Sequence, residues 1–200
     1  ADFGNGAFVY LQPDGGWGLS NSGLVTSDGD AFLIDTMFDY AHTRAMLESF
    51  RRASDMKIRT LFNTHHNGDH CYGNALVEGA EIVATEDART AMTHETPEGL
   101  ARLMKVAPGM GLTGEYFLHC FGRFEFGGID AKLPDHTFHG HLTRQVGAKT
   151  VELIEVGPAH TGGDAIAYVP QDKTVFTGDI LFIEGHPIIW AGPVGNWIAA

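Results

Sequence analysis

Residues 57–74 read KIRTLFNTHHNGDHCYGN, an apolar run that passes directly into three histidines and an aspartate within six positions, His65 to His70. No other stretch limits the fold so strongly. Imidazoles and a carboxylate crowded behind a buried strand place convergent donors at that strand's carboxyl end, where α/β sheets hold their sites. Two backbone paths compete. A helix would stack His66 and His70 at i and i+4, with Asp69 beside them, in the manner of metal-binding helices. Gly68 inside that turn costs about 1 kcal/mol relative to alanine, and the preceding strand leaves no capped helix start. An extended path puts His65, Asn67 and Asp69 on one side by alternation, and Gly68 lets His70 turn in to join them. The extended path is expected.

The flanking segments frame a layered α/β architecture. GLVTSDGDAFLIDT (23–36) reads as a hairpin around its Ser-Asp-Gly-Asp turn, and HTRAMLESFRRA (42–53) as an amphipathic helix. AEIVATE (80–86) predicts a strand and EDARTAMTH a short helix. Residues 97–130 form a helical, aromatic insert opened by Thr96 as cap and Pro97 in the first turn. Its Phe-rich part has two readings, core packing or a cover hinged at Gly109, Gly111 and Gly114. Residues 136–179 are strand-like with short turns. One domain, 1–200, is expected, with the end at Ala200 read as an incomplete C-terminus.

Charge and composition exclude several roles. Twenty-five acidic against 13 basic residues give −12, a surface that repels phosphate backbones, so nucleic acid is not expected as a partner. No run of about 20 apolar residues is present, so no membrane partner is expected. Cys71 and Cys120 are too few for a disulfide framework. The chain opens on ADFGNGAFVY with no visible signal peptide, so the expected location is the cytoplasm, with secretion after processing as the alternative. The oligomeric state stays open.

The histidine stretch resembles the H-x-H-x-D-H signature of the metallo-β-lactamase superfamily, with Asn67 where the second histidine stands. Three further stations follow the family's order: FLIDT (32–36) with Asp35, GPAHTGGD (157–164) with His160, and VFTGDILF (175–182) with Asp179. The resemblance implies a four-layer αββα sandwich. It implies a first metal position of His65, Asn67 and His160, and a second of Asp69, His70 and Asp179. Asp35 and Asp164 are expected behind the ligands. The family's last histidine has no counterpart after Asp179 except His186, which lies too close in sequence to be that residue.

An amide oxygen is a weaker zinc donor than imidazole, so Asn67 weakens the first position. Three outcomes stay open: one ion, two ions of unequal affinity, or His66 replacing Asn67. The implied cofactor is Zn²⁺, one or two per chain, with iron as the alternative. Its water, with a pKa lowered from ~15.7 towards ~7, would attack a small-molecule carbonyl substrate, an ester, lactone or thioester. Asp69 would orient that water and take its proton. Cys71 is expected to pack rather than react. The aromatic stretches 116–126 and 187–197 offer an apolar wall for a ligand. The competing readings are an iron-dependent oxygenase of sulfur compounds and a non-catalytic protein that retains a structural metal.

Overall fold

The computed structural model describes residues 1–12 and 15–200. Strands β1 (Ala7–Tyr10), β2 (Ser22–Ser27), β3 (Asp30–Ile34), β4 (Lys57–Phe62), β5 (Glu81–Thr85) and β6 (His136–Phe138) lie side by side in that order. The first three are antiparallel, and β3 to β6 run parallel. The expected hairpin closes on Asp28 and Gly29, both at positive φ (48° and 89°), the two-residue turn whose twist matches its strands. The second sheet is antiparallel, in the order β10 (Thr174–Phe176), β9 (Ala165–Val169), β8 (Lys149–Glu155), β7 (His141–Val146).

Alternation along the strands decides which faces meet. Val25, Phe32, Ile34, Phe62 and Val83 of the first sheet share one buried cluster with Val151, Leu153, Ala165, Ala167 and Val169 of the second. The first sheet's other face presents Leu24, Leu33, Leu61 and Ile82 to Met46, Leu47 and Phe50 of helix α1 (Tyr40–Ala53). Asp39 caps α1, accepting from the backbone N–H of His42 at 2.8 Å. The mixed α/β, two-sheet architecture is therefore the expected one. Among the described residues no helix is long and apolar enough to cross a membrane.

Helices α2 (Gly68–Cys71), one turn within the histidine stretch, α3 (Glu86–Met92), α4 (Pro97–Val106) and α5 (Leu112–Phe121) come next. Thr96 caps α4 through Gly99, with Pro97 in its first turn, as the sequence suggests. The Phe-rich part of the insert packs rather than covers. Phe121, Phe124 and Phe126 surround Phe38 with ring centroids at 5.9, 4.9 and 4.9 Å, and Tyr72 joins at 5.6 Å. This cluster lies directly against the histidine stretch: a Cβ on Gly68 would stand 2.5 Å from the Tyr72 ring and 2.8 Å from that of Phe38. Phe38→Ala is expected to cost ~3–5 kcal/mol, as for large aromatic truncations in cores, measured by urea unfolding.

Candidate metal centre

Four chain segments meet at one edge of the sandwich. Asp35 follows β3 at φ +61°, a left-handed conformation that aspartate tolerates better than most residues. Its carboxylate accepts from Thr64 N and Thr64 Oγ1, each at 2.8 Å, and from His70 Nδ1 at 2.9 Å. Thr64 Oγ1 lies 3.0 Å from His65 Nδ1 and accepts there, because its own proton goes to Asp35. One buried carboxylate thereby orients two imidazoles and leaves their Nε2 atoms facing inward.

The expected extended path through 65–70 is corrected. After β4 the chain bends through 64–66, and Gly68–Cys71 then form the single turn α2. Gly68 opens this turn instead of sitting inside it, so its helix penalty hardly applies. The turn is pinned from outside: the carbonyl of His70 accepts from Thr36 N at 2.9 Å and Asn63 Nδ2 at 3.0 Å, and that of Asp69 from Ser20 Oγ at 2.5 Å.

From the second sheet, the turn before β9 brings His160. Asp164 organises it, accepting from Ala159 N at 3.2 Å, Thr161 N at 2.8 Å and Thr161 Oγ1 at 2.6 Å. Asp179 follows β10 after Gly178, whose φ is +51° and whose Cβ would stand 2.6 Å from Thr64 Oγ1. Glycine is required for that close approach.

His65, His70 and Asp179 converge, with one donor atom of each lying within 4.8 Å of the others. Nε2 of His65 and of His70 are buried and make no hydrogen bond among the described residues. Asp179 stands 3.3 Å from His70 Nε2 through Oδ1 and 3.5 Å from His160 Nε2 through Oδ2. Asp69 lies at the margin, 3.8 Å from His70 Nε2. Asn67 faces His160, Oδ1 to Nε2 at 2.8 Å. His66 does not join the group: its Nε2 pairs with Glu95 Oε1 at 3.1 Å. His186 is exposed and also stays outside. Two buried, unpartnered imidazole nitrogens opposite a carboxylate are a donor set that a divalent ion such as zinc fits.

Burial and neighbouring charge divide the protonation states. Burial, with His70 and His160 adding, pushes His65 well below the usual histidine value. Burial opposes charging of His70 too, but Asp179, Asp35 and Asp69 override it and hold that imidazole well above the usual value. Burial would raise Asp179; His70, with His65 and His160, reverses this and holds its carboxyl far below the carboxylate range. Burial lifts Asp69, against the pull of His70.

The signs give a pH profile for metal-free protein. The contribution of His70 is complete below ~6.5 and is lost as pH rises through its elevated folded value. His65 acts oppositely, removing stability as pH falls below ~6.5, and Asp179 adds a further loss in strong acid. Thermal melts of chelated protein are expected to peak near pH 6–7 and fall on both sides, with His70→Ala flattening the alkaline arm. Zinc must displace the His70 proton, so its affinity is expected to rise with pH over that same arm.

Several contributors escape a reading of the sequence. Thr64 stands between Asp35 and His65, Thr36 and Ser20 pin α2, and Asn63 and Asn74 bond to each other through both amides (2.8 and 3.1 Å). Asn63 and Asn74 sit at the two ends of the histidine stretch, and that symmetry was the available signal. The segment after Asp179 leads into α6 (Val194–Ala199) and folds over His160. Ile188 O lies 2.5 Å from His160 Nδ1, and Trp190 N donates to His160 O at 2.8 Å. The Trp197 and Phe182 rings lie 5.8 and 6.2 Å from the imidazole. Of the two aromatic stretches, only 187–197 borders the cluster; in 116–126, Phe121, Phe124 and Phe126 belong to the Phe38 packing.

A family model described as the metallo-beta-lactamase superfamily matches residues 15–199. Hydroxyacylglutathione hydrolase of Dictyostelium discoideum is 25% identical over 147 residues, which is 70% of this chain and 40% of that protein. The protein of that name from Brucella anthropi is 25% identical over 175 residues, 86% of this chain and 51% of its own length. The chain thus spans about half or less of the curated relatives it matches. A metallo-beta-lactamase from Pontibacter korlensis shares the fold with a TM-score of 0.67 at 18% identity, over 93% of this chain and 73% of that one. The BLEG-1 B3 metallo-beta-lactamase gives 0.65 at 19%, over 96% and 82%.

Proposed function

The chain belongs to the metallo-beta-lactamase superfamily, and on that premise we propose that it is a zinc-dependent hydrolase of a small carbonyl substrate, an ester, lactone or thioester. One observation carries the reading: the buried Nε2 atoms of His65 and His70, which make no hydrogen bond among the described residues, face the Asp179 carboxylate. The thioester end of the class is supported by two distant relatives bearing the name hydroxyacylglutathione hydrolase.

His65, His70 and Asp179 would hold the ion. When bound, it supplies Lewis acidity and makes water acidic near neutral pH. The chain's own residues do the rest. Asp35 fixes the His70 ring directly and the His65 ring through Thr64, so neither reorients during turnover. Asp69, its carboxyl lifted by burial, is the base that takes the proton from the attacking water. Phe182 and Trp197 exclude solvent beside His160 and offer an apolar surface to the acyl group. Cys71 is no rival nucleophile, because burial pushes its thiol well above the usual value. A cytoplasmic setting suits the two free cysteines.

Asp69→Ala is expected to lower kcat/KM by ~10²–10⁴, the range for a lost general base, while the melting temperature stays within a few degrees. Undiminished turnover of thioester and lactone substrates by that variant would overturn the reading. A second reading has a specific basis, since two imidazoles and one carboxylate also suit mononuclear iron oxygenases. Stoichiometric iron in native protein, with oxygen uptake on a sulfur substrate, would replace hydrolysis.

A further inference from the structure

We propose that Asn67 is a latch on His160 rather than a metal ligand, and that this latch limits the site to one ion, held by His65, His70 and Asp179. The inference rests on the metal-dependent reading above and assigns what Asn67 does within it.

The far side of the His160 ring is fixed first. Its Nδ1 is 2.5 Å from the carbonyl oxygen of Ile188, which can only accept, so Nδ1 carries a hydrogen. In a neutral ring Nε2 then has only its lone pair, and the Asn67 amide stands 2.8 Å from it. The amide must present its NH₂ there, since oxygen and nitrogen of such a group are assigned by the network around them. In a charged ring, Nε2–H would donate to the amide oxygen instead. Either way, the atom of His160 that a metal needs is engaged by Asn67.

Distances separate a latch from a ligand pair. Two donors on one tetrahedral zinc, each ~2.0–2.1 Å from it, stand ~3.3 Å apart. Asn67 and His160 are closer, at 2.8 Å, which is a hydrogen bond with no space for an ion between them. His70 Nε2 and Asp179 Oδ1 are 3.3 Å apart, a ligand spacing, and make no hydrogen bond. The second oxygen of Asp179 is 3.5 Å from His160 Nε2. A second ion position therefore exists in outline, and the residue at 67 decides whether it opens.

The test counts zinc. The native chain and its Asn67→His, His160→Ala and His70→Ala variants are loaded with excess Zn²⁺ alone, gel-filtered, and assayed by mass spectrometry, with circular dichroism as the folding check. One zinc is expected in the native protein and in His160→Ala, two in Asn67→His, and a loss of at least tenfold in occupancy in His70→Ala. X-ray absorption is expected to find two imidazoles per zinc in both the native protein and His160→Ala. Two zincs in the native protein, or loss of the ion from His160→Ala, would overturn the latch and leave the metal-dependent reading standing. A folded Asn67→His variant that holds one ion would do the same. No zinc in the native protein overturns both. Should Asn67→His fail to fold, His160→Ala carries the test alone.

Discussion

Asp35→Ala is expected to be the most damaging single substitution in the chain. The carboxylate is 2% exposed and accepts three hydrogen bonds, from Thr64 N, Thr64 Oγ1 and His70 Nδ1. Its removal leaves the Thr64 N–H buried without an acceptor and the His70 Nδ1–H without its partner, with Asp179 and Asp69 as the remaining negative charges beside that imidazole. Breaking a buried pair by deleting one partner costs ~3–5 kcal/mol, and alanine at φ +61° adds strain. For a chain of 200 residues the melting temperature is expected to fall by roughly 10–15 °C. Asp35→Asn keeps an acceptor and tolerates the backbone, so it is expected to fold. It presents an NH₂ to one of three donors, and zinc affinity is expected to fall ~10–100-fold, as for lost outer partners of metal-bound imidazoles. Urea unfolding and zinc titration separate the two effects. An alanine variant as stable as the native protein would remove Asp35 from the centre of the site.

Chelation is expected to produce the second large effect. Without a cation, the inward nitrogen of His65 is a buried polar atom with no hydrogen-bond partner among the described residues, which is costly, while that of His70 has the Asp179 carboxylate 3.3 Å away. An ion that binds only the folded chain adds ~2.7 kcal/mol at a hundred times its dissociation constant. Zinc is therefore expected to raise the melting temperature by roughly 5–10 °C over chelated protein, and to restore turnover that the chelator abolishes. Hydrolysis that persists in excess chelator, with a melting temperature indifferent to zinc, would contradict the proposed chemistry.

Most strands are legible in the sequence because they carry their own signals; β1 is not among them. Asp28-Gly29 marks a hairpin turn, KIRTLF a strand whose last two residues, Leu61 and Phe62, are the buried ones, and Thr96-Pro97 a helix start. The histidine stretch announces a site, but its backbone path follows from contacts remote in sequence. Gly68 argues against a helix when propensity is summed locally, whereas its reason for being glycine is the closeness of Tyr72 and Phe38. The one-turn helix depends on Ser20, Thr36 and Asn63 gripping its carbonyls, and two of those lie more than 30 residues upstream. Asn67 shows the same limit. Spacing alone makes it a ligand by position, while its actual neighbour, His160, arrives from the other sheet. The aromatic run 187–197 marks an apolar wall, but that it folds over His160 follows from contacts remote in sequence.

His65 and His70 leave the first sheet, and Asp179 leaves the second, more than a hundred residues later in the chain. A cation shared among them would act as a clasp across the sandwich, a reversible analogue of a covalent cross-link closing a very long loop. Separating the two sheets would then require the ion to leave first. Resistance to opening at this edge becomes a property of the available metal as much as of the packed interior.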